Sequence, residues 1–233
     1  MVDSPPARVR DAFKRLAVSY CKLLKSRKTF RFRGADCNYF YHPYNLAWRN
    51  ERTVEIPIAR GFLAAHEGQE ILEVGNVLSH YLPVTHDILD KYEVADGVIS
   101  EDVLCFAPRK QYDLIISIST LEHIGYDEDP KDPGKVINAV ENLAGLLAPG
   151  GVMMATVPLG YNPEFDRLLK QREIPFSDVF ALRRVPGKNK WVETDFESVK
   201  GDGYTRNRFR ADAIIVGVIR EGQVENASDP NSN

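Results

Sequence analysis

The sequence predicts an α/β fold in which a mostly parallel sheet of seven strands carries helices on both faces, behind an N-terminal helical extension. Short apolar runs alternate with amphipathic stretches along residues 61–220, which is typical of parallel strands connected by helices. The run YDLIISI at 112–118 is almost entirely apolar, as expected of a strand buried on both faces. A chain of 233 residues is long enough to fill one such domain.

The predicted extension comprises residues 1–60. From Pro5 to Ser26, apolar residues recur at helical spacing with basic residues between them, which predicts a basic amphipathic helix. Residues 30–50 are rich in aromatic and turn-forming residues, and we expect them to be irregular. Residues 54–66 are predicted to form a short helix whose start is limited by Pro57, because proline disfavours the helical conformation of the preceding residue.

The core domain, residues 61–220, contains seven predicted strands. They are 70–74, 85–90, 97–100, 112–118, 152–158, 178–185 and 211–219. Helices are predicted at 135–147, before an APGG turn, and at 162–171, where Asn162 is a good N-cap residue. Residues 221–233 are polar, and we expect them to form a disordered tail.

Cysteine usage and hydropathy narrow the class of protein. Three cysteines without a C-x-x-C pair argue against structural disulfides and against a zinc site, so no metal is predicted. The longest uncharged stretch, 142–163, is interrupted by Pro149, Gly150 and Pro158, which favours a helix and a strand over a membrane span. No apolar run follows a basic start, as it would in a signal peptide. We therefore expect a cytoplasmic protein.

Charge is distributed unevenly along the chain. Residues 1–33 carry ten Lys or Arg against two Asp, whereas the rest carries 20 basic and 31 acidic side chains. The basic amphipathic helix can be interpreted in two ways. Its apolar stripe can pack on the domain, or the helix can make peripheral contact with an acidic surface such as anionic lipid or nucleic acid.

The site candidates lie at the carboxyl ends of the predicted strands, where an open parallel sheet binds its ligands. Glu73 and Gly75 follow the first strand, and glycine allows a tight turn and a close approach to a ligand. Asp90 ends the second strand, where a carboxylate can accept both hydroxyls of a ribose. Asp102 follows the third strand and can accept an adenine amino group, although its neighbour Glu101 leaves open which carboxylate faces the ligand.

Taken together, these segments resemble the class I S-adenosylmethionine-dependent methyltransferases. The resemblance spans residues 68–220 and rests on LEVGN, ILD, EDV, YDLIISISTLEHI and LLAPGGVMMATVP, which occur in the order found in the family. It implies a Rossmann-like sheet and S-adenosylmethionine as the cofactor. The cofactor-binding residues that we expect are Glu73, Gly75, Asn76, Asp90, Asp102, Val103, Ser117 and Ile118.

The chain departs from the family in its glycine loop. The family pattern E-x-G-x-G-x-G would place glycines at 77 and 79, where this chain has Val77 and Ser79. The loss of these glycines should weaken the binding of a dinucleotide more than that of S-adenosylmethionine, because a pyrophosphate needs a compact glycine loop at a helix N-terminus. A sulfonium cofactor has no phosphate to hold, so the altered loop favours S-adenosylmethionine.

The resemblance implies methyl transfer from S-adenosylmethionine to a small-molecule or glycan-type acceptor. His123 is the candidate general base, since histidine readily accepts a proton near neutral pH. Tyr81, Tyr126 and Tyr161 are candidates for the wall of the acceptor site. The residues do not distinguish O-, N-, S- and C-methylation, nor do they indicate an oligomeric state.

Two alternative functions remain open at this point. The altered loop favours a non-catalytic S-adenosylmethionine-binding module that serves as a regulator or partner. The basic N-terminus favours a nucleic-acid methyltransferase. Nucleic acid is nevertheless not the expected acceptor, because SIST follows the fourth strand in place of the N/D-P-P-Y/F segment used on flipped bases.

Overall fold

The structure is a computed structural model that describes residues 7–25, 27–205 and 210–222. The described helices are α1 (Ala7–Lys25), α2 (Arg52–Ala65), α3 (Lys135–Gly145), α4 (Pro163–Lys170) and α5 (Phe196–Val199). The described strands are β1 (Thr29–Phe32), β2 (Ala35–Asn38), β3 (Ile71–Val74), β4 (Asp87–Leu89), β5 (Val98–Ile99), β6 (Tyr112–Ile118), β7 (Leu147–Pro158), β8 (Asp178–Arg184), β9 (Trp191–Thr194), β10 (Tyr204–Thr205), β11 (Arg210–Ala211) and β12 (Ala213–Arg220).

Eight strands form the central sheet, in the order β5-β4-β3-β6-β7-β12-β8-β9. The first five are parallel to one another, β12 is antiparallel to β7 and β8, and β9 is antiparallel to β8. Only β12 and β9 therefore run against the other strands of this sheet. The predicted Rossmann-like, mostly parallel sheet is confirmed. It has one strand more than predicted, because the chain after β8 turns back and pairs β9 with it.

Helices cover both faces of the sheet, as predicted. Alternate side chains of β6 point to opposite faces, so Ile116 belongs to the same apolar cluster as Ile58 of α2, and Ile115 belongs to the other cluster, with Val140 of α3. The face of α3 also receives Phe165 of α4. Each face thus has its own apolar core.

Helix α2 begins earlier than predicted and continues through Pro57. Proline lacks an N–H and leaves the carbonyl four residues earlier without its helical partner. That carbonyl belongs to Thr53, and it accepts the backbone N–H of Phe40 at 2.9 Å. The segment after β2 therefore supplies the missing hydrogen bond, which explains how the helix tolerates the proline. The domain boundary predicted at residue 60 falls inside α2.

The N-terminal segment contains two elements that lie on the face of α2. Helix α1 is present as predicted, and its Val18 and Cys21 are buried against that face. Residues 29–38 form a β-hairpin of β1 and β2 where irregular structure was predicted. The alternation in TFRF buries Phe30 and Phe32 on one side, a strand pattern too short to stand out in the sequence.

The sequence predicted no membrane span and a disordered C-terminal tail. In the described part of the chain, no helix combines the length and the apolar character that crossing a bilayer requires. The tail predicted at 221–233 lies almost entirely outside the described residues, which end at Gly222.

The connection between β3 and β4 is short and contains no α-helix. Its residues, 75–86, are all described, and they form a 3-10 turn at Leu78–His80 where a crossover helix is usual. This shortening brings the altered glycine loop and Asp90 close together, which determines the geometry of the site.

Candidate functional site

A cavity of about 370 Å³ opens at the carboxyl ends of β3, β4, β5 and β6. The chain proceeds outward from β3 to β5 and then returns to β6 on the other side of β3, so the cavity lies at the switch point where α/β sheets bind ligands. Its volume is in the range of small-molecule sites. We call it the first cavity; its wall consists of Val74, Gly75, Leu89, Asp90, Lys91, Tyr92, Glu101, Asp102, Val103, Thr120, His123, Ile124, Asp127 and Glu128.

The wall of the first cavity is acidic. Five carboxylates face one lysine in it, and they are Asp90, Glu101, Asp102, Asp127 and Glu128. Burial opposes the charge of Glu128, but hydrogen bonds from Lys135 and Lys91 outweigh it and lower the pKa of Glu128. The same balance lowers the pKa of Asp127, whose partners are Tyr161 and His123. The wall therefore favours a cationic ligand.

Asp90 lines the cavity and at the same time holds two loops in place. Its Oδ2 accepts the backbone N–H of Asn76 at 3.1 Å, and its Oδ1 accepts those of Tyr92 and Glu93 at 2.9 and 2.8 Å. A carboxylate offers about four acceptor positions, so three backbone donors leave room for roughly one more. Asp90 thus has room for about one further donor, whereas the sequence led us to expect that it accepts two hydroxyls.

Asp102 also lines the cavity, where it belongs to an ion-pair network. Its Oδ2 lies 2.7 Å from Lys135 Nζ and 2.9 Å from Lys91 Nζ, and both lysines also contact Glu128. Burial raises the pKa of Asp102, but the hydrogen bonds from Lys135, the Leu104 N–H and Lys91 prevail and lower it to about 2. Glu101 lines the cavity beside Asp102, so both carboxylates that the sequence left open reach the wall.

Glu73 does not lie in the cavity wall but organises the altered loop. Its buried Oε1 accepts the backbone N–H groups of Val77 and Leu78 at 2.8 and 2.7 Å, and its Oε2 lies 2.9 Å from His86 Nε2. Asn76 also lies outside the wall, with its side chain donating to Glu93 at 2.7 Å. The loop therefore keeps its shape without the two glycines, because a buried carboxylate binds its backbone.

Gly75 is required by its close approach to Thr120. Its φ is +84°, in the left-handed region that favours glycine. A Cβ atom at this position would lie 2.2 Å from Thr120 Oγ1. Gly75 therefore brings the loop after β3 against the segment after β6, and both residues line the cavity.

The remaining predicted cofactor residues divide between the cavity wall and the sheet. Val103 lines the cavity and packs into the core. Ser117 and Ile118 are fully buried within β6 and do not reach the wall. Within the described ranges, Ser117 Oγ has no hydrogen-bond partner.

A second cavity, also of about 370 Å³, lies beside the first. It is formed by the start of α2, the residues after β6 and the residues after β7. Its wall consists of Asn45, Asn50, Glu51, Arg52, Ser119, Glu122, His123, Pro158, Tyr161 and Tyr204. His123 lines both cavities, so the 3-10 turn at Leu121–His123 separates them.

Buried charges surround the second cavity. Arg52 Nη1 binds Glu55 Oε2 at 2.6 Å, and Glu55 Oε1 accepts the hydroxyls of Ser119 and Thr156. Burial, reinforced by the charge of Glu55, raises the pKa of Glu51 to about 7. Burial likewise raises the pKa of Glu122 well above its ordinary value, with Glu55 and Glu51 adding to the effect.

His123 lies at the boundary of the two cavities with 44% of its side chain exposed. Its Nδ1 forms a hydrogen bond with Asp127 Oδ2, which also accepts the Tyr161 hydroxyl at 2.6 Å. Its Nε2 lies 3.7 Å from Glu122 Oε1. Asp127 thus orients the ring so that the other nitrogen faces the buried carboxylate. Tyr161 lines the second cavity, whereas Tyr81 and Tyr126 belong to neither wall.

Several wall residues were not predicted from the sequence. Asp127 and Glu128 belong to the acidic run YDEDPKD, which begins two residues beyond the LEH segment and could have been recognised in the sequence. Glu51 and Arg52 lie about 70 residues before Glu122, and nothing local connects them. Among the described residues, no group of three or more His, Cys, Asp or Glu is arranged to hold a metal ion.

No protein-family model matches the chain, and no curated protein matches it. Solved structures of other proteins do match this chain. The N-methyltransferase NodS from Bradyrhizobium japonicum, in complex with S-adenosyl-L-homocysteine, is 13% identical over 74% of this chain and 88% of its own, with a TM-score of 0.42. A SAM-dependent methyltransferase from Archaeoglobus fulgidus is 12% identical over 70% and 91%, with a TM-score of 0.45.

A third solved structure, an S-adenosylmethionine-dependent methyltransferase from Clostridium acetobutylicum, is 11% identical over 91% of this chain and 99% of its own, with a TM-score of 0.40. All three are methyltransferases, the class that the sequence motifs resemble. At such low similarity, a function for this chain has to rest on its own residues.

Proposed function

We propose that the protein is an S-adenosylmethionine-dependent methyltransferase that acts on a small-molecule or glycan-type acceptor. The observation that carries this proposal is the acidic first cavity at the switch point of the sheet, with Gly75, Asp90 and Asp102 in its wall. A wall of five carboxylates and one lysine suits the positively charged sulfur and amino group of the cofactor.

The chemistry of the first cavity matches the parts of the cofactor. Apolar side chains of Val74, Leu89, Val103 and Ile124 can pack against the faces of an adenine ring. Asp90 has an acceptor position left for a ribose hydroxyl, and Glu101 is available beside Asp102 for an amino group. No phosphate-binding glycine loop is needed, which agrees with Val77 and Ser79 in the altered loop.

The chain's own residues would bind the cofactor and the acceptor, orient them, and remove a proton from the acceptor. When bound, S-adenosylmethionine supplies a methyl group activated by a positive sulfur. The close contact of Gly75 and Thr120 joins the loops that flank the cavity and keeps the ligand positions fixed. His123, oriented by Asp127, is placed between the two cavities and can carry the acceptor's proton towards solvent.

Two alternative functions make different demands on the two cavities. A non-catalytic cofactor-binding module would bind S-adenosylmethionine in the first cavity and leave the second without an acceptor. A nucleic-acid methyltransferase would need a basic surface leading to the second cavity, but the wall of that cavity has two carboxylates, Glu51 and Glu122, and one arginine, Arg52. We propose a cytoplasmic location from the cysteine usage alone.

We also infer a peripheral contact with anionic membranes through α1. Leu16, Tyr20, Leu23 and Leu24 share one face of this helix and are 70%, 55%, 80% and 64% exposed. Exposed basic side chains such as Arg15 and Lys22 stand beside them. An apolar stripe flanked by positive charge has the chemistry of an interfacial helix on acidic lipid.

Calorimetric titration of the full chain with S-adenosylmethionine and S-adenosylhomocysteine tests the proposed function. We expect both to bind, and we expect Asp90→Ala to weaken binding by about 1–3 kcal/mol, the scale of charge-assisted hydrogen bonds. Asp96→Ala is the matched control, because Asp96 is exposed on the same β4–β5 connection and outside the wall. Failure of both ligands to bind the wild type at millimolar concentration would refute the proposal.

A further inference from the structure

The second cavity contains two buried hydrogen-bond acceptors that the protein leaves unsatisfied. In the part of the chain that the structure describes, Glu122 Oε2 and Asn50 Oδ1 have no hydrogen-bond partner. Both residues line this cavity and are only 1% and 5% exposed. Buried polar atoms are nearly always paired in folded proteins, so two orphans in one wall indicate a ligand that supplies donors.

The donor that fits is a cation with several N–H groups. A hydroxyl offers a single donor, whereas an ammonium group offers three and accepts nothing. Three buried carboxylates, those of Glu51, Glu55 and Glu122, lie near two buried arginines. Arg52 Nη1 is bound to Glu55 at 2.6 Å and Arg184 Nη2 lies 3.7 Å from Glu51 Oε2, so Glu122 is the carboxylate that neither salt bridge includes. A buried carboxylate without a counter-charge is costly, and a bound ammonium offsets that cost.

The organic part of such a ligand also has suitable surroundings. Tyr161 and Tyr204 meet edge to face with ring centroids 5.2 Å apart, and both line the cavity. Aromatic faces stabilise organic cations. The cavity volume of about 370 Å³ is sufficient for an amine that carries a ring or a short chain.

The position of this cavity makes it the place for the methyl acceptor. His123 belongs to both walls, and the consecutive residues Ser119 and Thr120 line the second and the first cavity respectively. A ligand in one cavity therefore lies next to a ligand in the other, as transfer between two bound molecules requires.

We propose that the second cavity binds the acceptor and that the acceptor is an amine, held by Glu122 and Asn50, with Glu122 as the group that receives its proton. This inference rests on the proposed methyltransferase function. It narrows the acceptor from any small molecule or glycan to one that carries a basic nitrogen.

The reaction balances with the groups at hand. The bound ammonium gives one proton to the Glu122 carboxylate and becomes a neutral amine with a free electron pair. That pair forms the new nitrogen–carbon bond while the bond from the methyl carbon to sulfur breaks, and its electrons remain on sulfur. The positive charge passes to the methylated nitrogen. His123 Nε2, 3.7 Å from Glu122 Oε1, can then take the proton on to solvent.

Ligand binding tests the inference without any need for turnover. Benzylamine and benzyl alcohol have nearly the same shape but differ in charge, and each is titrated into the full chain saturated with S-adenosylhomocysteine. We expect benzylamine to bind at least about tenfold more tightly, as a charge-assisted hydrogen bond implies. Glu122→Gln should abolish this preference and leave the affinity for S-adenosylhomocysteine unchanged, while Glu67→Gln, an exposed glutamate outside both walls, should preserve it.

The outcomes separate this inference from the proposed function. If S-adenosylhomocysteine binds but benzylamine binds no better than benzyl alcohol, or binds not at all, the amine site is wrong and the cofactor site stands. A preference for benzylamine that survives Glu122→Gln also overturns the assignment. If S-adenosylhomocysteine fails to bind the wild type, the proposed function fails, and the preference measured without it still decides whether an amine site exists.

Discussion

At the scale of single residues, the site combines carboxylates in opposite states. Asp102 lies beside two lysines, and its pKa falls to about 2, so it is charged throughout the neutral range. Burial instead raises the pKa of Glu51 to about 7 and raises that of Glu122 well above its ordinary value. Asp102 lines the first cavity and the two glutamates line the second. Carboxyl groups with such different pKa values are typical of functional sites, because each protonation state serves a different task.

Glu122 should lower the stability of the protein as the pH rises. Its folded pKa is raised, so its contribution to stability is complete below the unfolded value near 4.5 and is lost as the pH climbs towards the folded value. Stability therefore falls steadily as the pH rises across that window. The charged and titratable groups that act on Glu122 are Glu55, Arg52, Glu51, Tyr204 and His123, and all of them remain in the variant described next.

We therefore expect Glu122→Gln to melt at a higher temperature than the wild type at pH 8 and to approach it towards pH 4.5. Thermal unfolding monitored by circular dichroism across this range measures the difference, with Glu67→Gln as the control that should follow the wild type. A Glu122→Gln effect that is the same at every pH would mean that the carboxyl group does not titrate in this window.

At the scale of secondary-structure elements, neighbours compensate for local departures from the usual pattern. The carbonyl that Pro57 leaves free in α2 is satisfied by Phe40 from the segment after β2. The loop between β3 and β4 lacks two glycines and a crossover helix, yet Glu73 binds its backbone. For α2 the compensating group comes from another segment of the chain. For the loop it is Glu73, which belongs to the loop motif itself, and the loop therefore keeps its shape without the two glycines.

Helix α1 has two apolar stripes with different expected effects. Val18 and Cys21 are buried on the domain, whereas Leu16 and Leu23 are exposed. Leu16→Asp combined with Leu23→Asp should change the melting temperature by no more than about 4 °C, since exposed substitutions rarely change stability by more than about 0.5 kcal/mol each. The same pair should abolish binding to vesicles with anionic lipid, which in the wild type should weaken steeply with added salt.

Sedimentation of the protein with anionic and neutral vesicles measures this binding. Val192→Asp is the matched control, because Val192 is an exposed apolar residue on β9 far from α1 in sequence. If the full-length protein does not bind anionic vesicles at low salt, the role of α1 is limited to stabilising the fold.

At the scale of the whole molecule, the order of the strands creates both cavities. Because β3 and β6 are neighbours, the residues after each strand meet, and Gly75 can approach Thr120. The 3-10 turn after β6 then places Thr120 in one cavity and Glu122 in the other. One short segment thus contributes to both walls.

Much of the fold and part of the wall of the first cavity could be predicted from the sequence. Apolar runs such as 112–118 report burial directly, and Asp90, Asp102 and Val103 follow from their positions at strand ends. Local pattern could not show that Glu73 faces the loop, because that depends on which way a buried side chain turns. Nor could it join Glu51 to Glu122, since only the packing of α2 on the sheet brings these residues together.

The central claim, that the first cavity binds S-adenosylmethionine, is tested most directly by a crystal structure of the full chain grown with S-adenosylhomocysteine. We expect ligand density in the first cavity, in contact with Gly75, Asp90 and either Glu101 or Asp102, with its sulfur end towards His123. Ligand density elsewhere on the protein, with the first cavity holding only solvent at saturating ligand concentration, would contradict it.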